Sequence, residues 1–102
     1  MLMEKQYNQN DVVSLKLTSG EEIIARIQED RITDYLLNKP MALLNTPNGG
    51  LGMMPVPISS NPQDFIVLNK HAVAFHSKCE ATLASQYLEK TTGIKLATTG
   101  II

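Results

Sequence analysis

Lys70 and His71 stand side by side between two apolar runs, Phe65-Ile66-Val67-Leu68 and Ala72 to Phe75. A lysine there supplies a point charge for phosphate. A histidine adds a flat ring for stacking and N–H donors for a base edge or a ribose hydroxyl. The plainer reading is a polar corner between strands, with His71 hydrogen-bonded to a neighbouring subunit. Tyr35 has the same two readings: a ring that stacks on a base, or a strand residue that buries its ring and keeps its hydroxyl at the surface. His76 and Cys79 lie three apart, a spacing compatible with metal ligation. A zinc site, however, takes three or four protein ligands, and the chain has two histidines and one cysteine in all. Cys79 therefore reads as a small buried residue at the start of a helix. Glu21-Glu22 and Glu29-Asp30 pair carboxylates as acid–base chemistry would, but both pairs fall in turns, where solvated charge is ordinary. No serine or cysteine has a base and an orienting group, and no glycine-rich phosphate loop is present. The chain does not read as an enzyme, and no cofactor or metal is expected.

The element that must position these groups is the stretch Val13 to Ile27. Val13, Leu15 and Leu17 alternate with polar residues, the period-2 signature of a half-buried strand. Thr18-Ser19-Gly20-Glu21 breaks the run, with Gly20 able to take a positive φ cheaply. Ile23, Ala25 and Ile27 then restart the alternation, which predicts a β-hairpin with one apolar face. A lone hairpin is marginal in water, so it must pack on further strands or on a partner. Before it, Met1 to Asn10 reads as a short helix, an arm or a frayed end. After it, Gln28-Glu29-Asp30-Arg31 reads as a charged loop.

Tyr35 to Leu44 predicts a third strand, with Pro40 demanding an edge, a bulge or a bend. Asn45 to Gly50 is a turn. Leu51 to Ile58 is extended, but Pro55 and Pro57 lie two apart, so one side of it lacks donors and it reads as an excursion or an edge. Met53 and Met54 make an adaptable apolar patch there, part of a core or of a partner surface. Phe65 to Leu68 and Ala72 to Phe75 are either one bent strand or two strands meeting at a tight corner. The period then changes. Ser77 and Glu80 fit a capping box, Leu83/Tyr87 and Ala84/Leu88 are i, i+4 pairs, and Gly93 is placed to end a helix over 77–92. The tail from Ile94 to Ile102 carries little pattern and its last two residues read as a frayed end.

The 102 residues are enough for one domain with one modest core. The net charge of −1 removes the argument for nucleic-acid binding that a strongly basic domain would give, although it leaves room for a local site multiplied by assembly. One cysteine permits no internal disulfide. The N-terminal stretch MLMEKQYNQND lacks the apolar run of a signal peptide, and no stretch approaches the ~20 apolar residues that span a bilayer. The expectation is a cytoplasmic protein with no membrane contact.

Val13, Leu15, Leu17, Gly20, Ile23, Ala25 and Ile27 fill the places of the first signature of the Sm-like family, which includes bacterial Hfq-type RNA chaperones. Ala25 stands where that family usually has glycine. Asn69-Lys70-His71-Ala72 is similar to the second signature, Tyr-Lys-His-Ala, at the corner between the last two strands, with Asn69 in the tyrosine's place. The long 45–60 excursion and the C-terminal helix resemble the small Sm-like proteins of cyanophage type. The resemblance implies a mainly β fold, a small Sm-like barrel of about five bent antiparallel strands over 11–76 with a C-terminal helix. It also implies a homo-oligomeric ring of about five to seven subunits, closed by heterologous edge pairing. The function it implies is binding of short single-stranded, U-rich RNA at the pore, by a chaperone or regulator of phage origin acting in the host cytoplasm. The implied RNA-binding residues are Lys70, His71, Tyr35 and Asn69. The competing expectation is an oligomeric scaffold with the same fold and no RNA binding.

Overall fold

The computed structural model describes residues 5–93. Met1 to Glu4 and the tail from Ile94 to Ile102 lie outside them. The chain is mainly β, a strongly bent, barrel-like antiparallel sheet with one C-terminal helix. Its strands are β1 (Val12–Leu17), β2 (Glu22–Asp30), β3 (Asp34–Asn45), β4 (Leu51–Pro55), β5 (Ile66–Asn69) and β6 (Val73–Lys78), followed by helix α1 (Ala81–Thr92). A 3-10 turn, Lys70–Ala72, makes the corner between β5 and β6. The spatial order is β4-β3-β2-β1-β6, and β5 also lies on β3.

β1 and β2 form the hairpin that the alternation predicts, with Val13 opposite Ala25 and Leu15 opposite Ile23. Gly20 has φ 102° in the connecting turn, a conformation that a Cβ would strain. Val13, Leu15, Ile23, Ala25, Ile27, Tyr35 and Leu37 form the inner core with Tyr7. Ile24 points the other way and is also fully buried, under α1 with Met41 and Tyr87. β2 is thus covered on both faces, which is why its alternation is broken by an Ile-Ile pair.

Pro40 falls inside the 12-residue β3. It is accommodated by a bulge: Ile24 faces Met41 and Arg26 faces Asn38, so β3 carries an extra residue there, with Lys39 at φ 51°. The bend divides β3 in two. Its first half pairs with β5 and its second half with β4. Helix α1 seals the bend, because the Tyr87 hydroxyl donates to the carbonyls of Asn38 (2.9 Å) and Lys39 (2.8 Å). Burial pushes that hydroxyl's pKa up to about 12, so it stays a donor.

One expectation is sharpened and two need correction. The sheet has six strands, the sixth arising because part of the 45–60 excursion pairs with β3 as β4. The Val56 N–H donates to the Pro40 carbonyl at 3.1 Å, so the donors of that parity face β3. The donor missing at Pro55 therefore falls on the open edge. The charged stretch Gln28-Glu29-Asp30 is not a loop but the end of β2. Finally, the helix begins at Ala81 and not at Ser77. The Cys79 N–H donates to the Val12 carbonyl at 2.9 Å, which holds the chain extended past Ser77. Glu80 is the cap, its carboxylate accepting from the Thr82 (2.9 Å) and Leu83 (3.1 Å) amides. At the other end Gly93, at φ 75°, donates to the Glu89 carbonyl as expected.

Candidate functional site: the corner between β5 and β6

The corner begins where β5 leaves β3, with Asn69 opposite Asp34 and Leu68 opposite Tyr35. Asn69 caps the 3-10 turn: its Oδ1 accepts the His71 amide at 2.8 Å. The Lys70 amide donates to the Thr33 carbonyl at 2.9 Å and the Thr18 amide to the Ala72 carbonyl at 2.8 Å. The turn is thus tied to the β2–β3 loop on one side and to the β1–β2 turn on the other. Of these contacts that set its position, only the Asn69 cap spends a side chain.

The side chains of Lys70 and His71 diverge. His71 is exposed, and its ring makes no hydrogen bond within the described residues. Lys70 turns back onto the barrel. Its Nζ lies 2.6 Å from Asp30 Oδ1 and 4.7 Å from the centroid of the Tyr35 ring, a charge-assisted hydrogen bond combined with a cation–π contact. Tyr35 is 2% exposed and stands opposite Asp30, so it supports Lys70 from beneath. In the isolated chain it presents no face to a base. Burial and then Asp30 push its hydroxyl up to about 12.

Asp30 joins three separate stretches. Oδ1 holds Lys70, and Oδ2 accepts the backbone amides of Gln6 (2.9 Å) and Tyr7 (3.1 Å). Burial alone would raise its pKa. The hydrogen bond from Lys70 and those from the two amides outweigh this and hold the carboxyl below its usual range. Tyr7 fills the space beside it. Its hydroxyl shares a 2.7 Å hydrogen bond with His76 Nδ1, and its ring packs against Tyr35 at 6.2 Å and edge-on to His76 at 5.7 Å. Burial, then Asp30 and Asp11, raise the Tyr7 hydroxyl.

Asp30 and Tyr7 are the residues that sequence reasoning missed. Strict alternation from Ile23, Ala25 and Ile27 would turn Asp30 outward. A bulge reverses this: Ile27 faces Leu37 and Glu29 faces Leu36, so Gln28 is an extra residue and Asp30 turns inward. Glu29 remains exposed, in keeping with a solvated charge. Tyr7 carries one faint signal, as the one aromatic in an otherwise polar segment.

His76 and Cys79 do not converge. His76 lies opposite Leu15 and turns to Tyr7, whereas Cys79 packs in the cluster under α1, where burial raises its thiol. Among the described residues no three His, Cys, Asp or Glu side chains gather as a metal site would need, and no helix is long and apolar enough to cross a membrane. Neither a protein-family model nor a curated protein matches this chain.

Proposed function

We propose that the chain is an Sm-like protein that assembles into a homo-oligomeric ring, of about five to seven subunits, and presents the Asn69-Lys70-His71 corner to short single-stranded, U-rich RNA. The observation that carries this reading is the pair of open strand edges flanking the corner. Within the described residues β5 pairs with β3 alone and β6 with β1 alone. Apolar side chains stand beside both edges, Val67 at 59% exposure and Phe75 at 72%. An open edge with apolar neighbours is a template for another strand. Pairing β5 of one copy with β6 of the next is a heterologous contact, and such contacts close into rings. Every closure repeats the exposed His71 around one axis, so many weak contacts act together on one strand. RNA remodelling or regulation is the activity that such a ring would serve.

Fluorescence anisotropy of a labelled oligo-U with the wild type and His71→Ala tests the ligand. Equal binding by both proteins, or none by the wild type at low salt, ends the RNA assignment. A second reading, a scaffold ring that binds no RNA, is favoured by the Lys70–Asp30 pair, which neutralises the lysine. Copurification separates the two: a high 260/280 nm absorbance ratio after mild-salt lysis supports RNA, and a protein-like ratio supports the scaffold.

A further inference from the structure

We infer that Asp30 is a specificity-determining residue: it withholds the Lys70 charge from phosphate, so that the corner selects a strand by its bases and not by its backbone charge. The inference rests on the RNA-binding reading above and names what that site discriminates.

Lys70 is the cation at the centre of the corner, yet its ammonium is already paired with a carboxylate. Asp30 Oδ1 lies 2.6 Å away, the Asp30 side chain is 1% exposed and that of Lys70 is 25% exposed. Asp30 cannot follow Lys70 outward, because Oδ2 is pinned by the Gln6 and Tyr7 amides. A phosphate that captured Lys70 would leave a buried carboxylate without its cation, a costly state. The neighbouring cation is treated alike: Arg31 Nε meets Asp34 Oδ1 at 2.6 Å, and Asp34 stands opposite Asn69. Both basic groups at this corner thus face a carboxylate of the same chain, and the local charge is close to cancelled. What remains outward is the His71 ring, a group for stacking and for base edges.

Counterion release makes this measurable, because each phosphate neutralised on a single strand steepens the slope of log K against log salt by about 0.7. Wild-type binding of labelled oligo-U should therefore be shallow in salt. Asp30→Asn keeps an acceptor for the amides and removes the charge that holds Lys70. It should bind more tightly, by roughly fivefold for each new phosphate contact at 0.1 M salt, with a slope steeper by about 0.7 per contact. A purely structural role for Asp30 would instead give weaker binding and an unchanged slope.

A measurement on the wild type stands beside this one and does not depend on the variant folding. Under limiting acetic anhydride, Lys70 should be acetylated much more slowly than Lys78, whose side chain is 68% exposed. Equal acetylation of Lys70 and Lys78 overturns the inference, as does a folded Asp30→Asn protein that binds oligo-U no better than the wild type. Failure of both proteins to bind oligo-U removes the RNA reading itself. Wild-type binding without a gain in Asp30→Asn removes only the role assigned to Asp30.

Discussion

At the scale of single residues the corner is governed by one buried carboxylate. Asp30 ties the N-terminal segment, the end of β2 and the 3-10 turn together through three hydrogen bonds on its two oxygens. Asp30→Ala leaves two amides and an ammonium without their acceptor, and should lower stability by about 3 kcal/mol, the low end for a broken buried pair because Lys70 can still reach water. Chemical denaturation of the variant and the wild type checks this. The pH dependence follows from the direction of the shift. A carboxyl lowered in the folded state from its ordinary 3.8 contributes stability that is complete above that value. The contribution is lost as pH falls through the lowered folded value. The wild type should therefore lose more stability than Asp30→Asn between about pH 5 and pH 2, and parallel curves for the two proteins would contradict the pairing. His71 acts differently, since nothing in the described fold depends on its ring. His71→Ala should leave stability unchanged and weaken oligo-U binding by about 1–3 kcal/mol for each base it stacks.

At the scale of elements, α1 is held by its cap and by the carbonyls it covers. Glu80→Ala removes the acceptor of two first-turn amides and should cost about 1 kcal/mol, whereas Ser77→Ala, in β6, should cost almost nothing. Thermal melts of the two variants distinguish a helix that starts at Ala81 from one that starts at Ser77. Tyr87→Phe should cost about 1–3 kcal/mol, because the Asn38 and Lys39 carbonyls at the β3 bend lose their donor. Alternation, turn chemistry and proline parity make β1, β2, the bend in β3 and the edge character of β4 legible in the amino-acid sequence. Two bulges set the limit of that reading. At Gln28 one extra residue reverses which side chains face inward, and at Pro40 another frees the carbonyls that Tyr87 needs. Pro40 announces the break in β3 but not which carbonyls it frees, whereas the bulge at Gln28 is chosen by the tertiary packing on both sides of β2 and leaves no mark in the local pattern. The Lys70–Asp30 contact, 40 residues apart in sequence, is hidden for the same reason.

At the scale of the whole molecule, the sheet curls toward a barrel, and among the described residues its last edges are not paired with one another. β5 and β6 are joined by the 3-10 turn but paired to different strands, and within the described residues each keeps one free edge. Val67 and Phe75 stand exposed beside these edges, where the proposed self-association would cover them. Val67→Lys combined with Phe75→Glu should reduce the assembly to a folded monomer, with no change in circular dichroism. It should also abolish oligo-U binding, since one corner alone offers little affinity. The measurement closest to the central claim is native mass spectrometry of the wild type with and without a short oligo-U. The prediction is a single closed assembly of about five to seven subunits that gains the mass of one oligonucleotide and loses it in His71→Ala. A monomer of 11.2 kDa that takes up no RNA at low salt would contradict both the ring and the site.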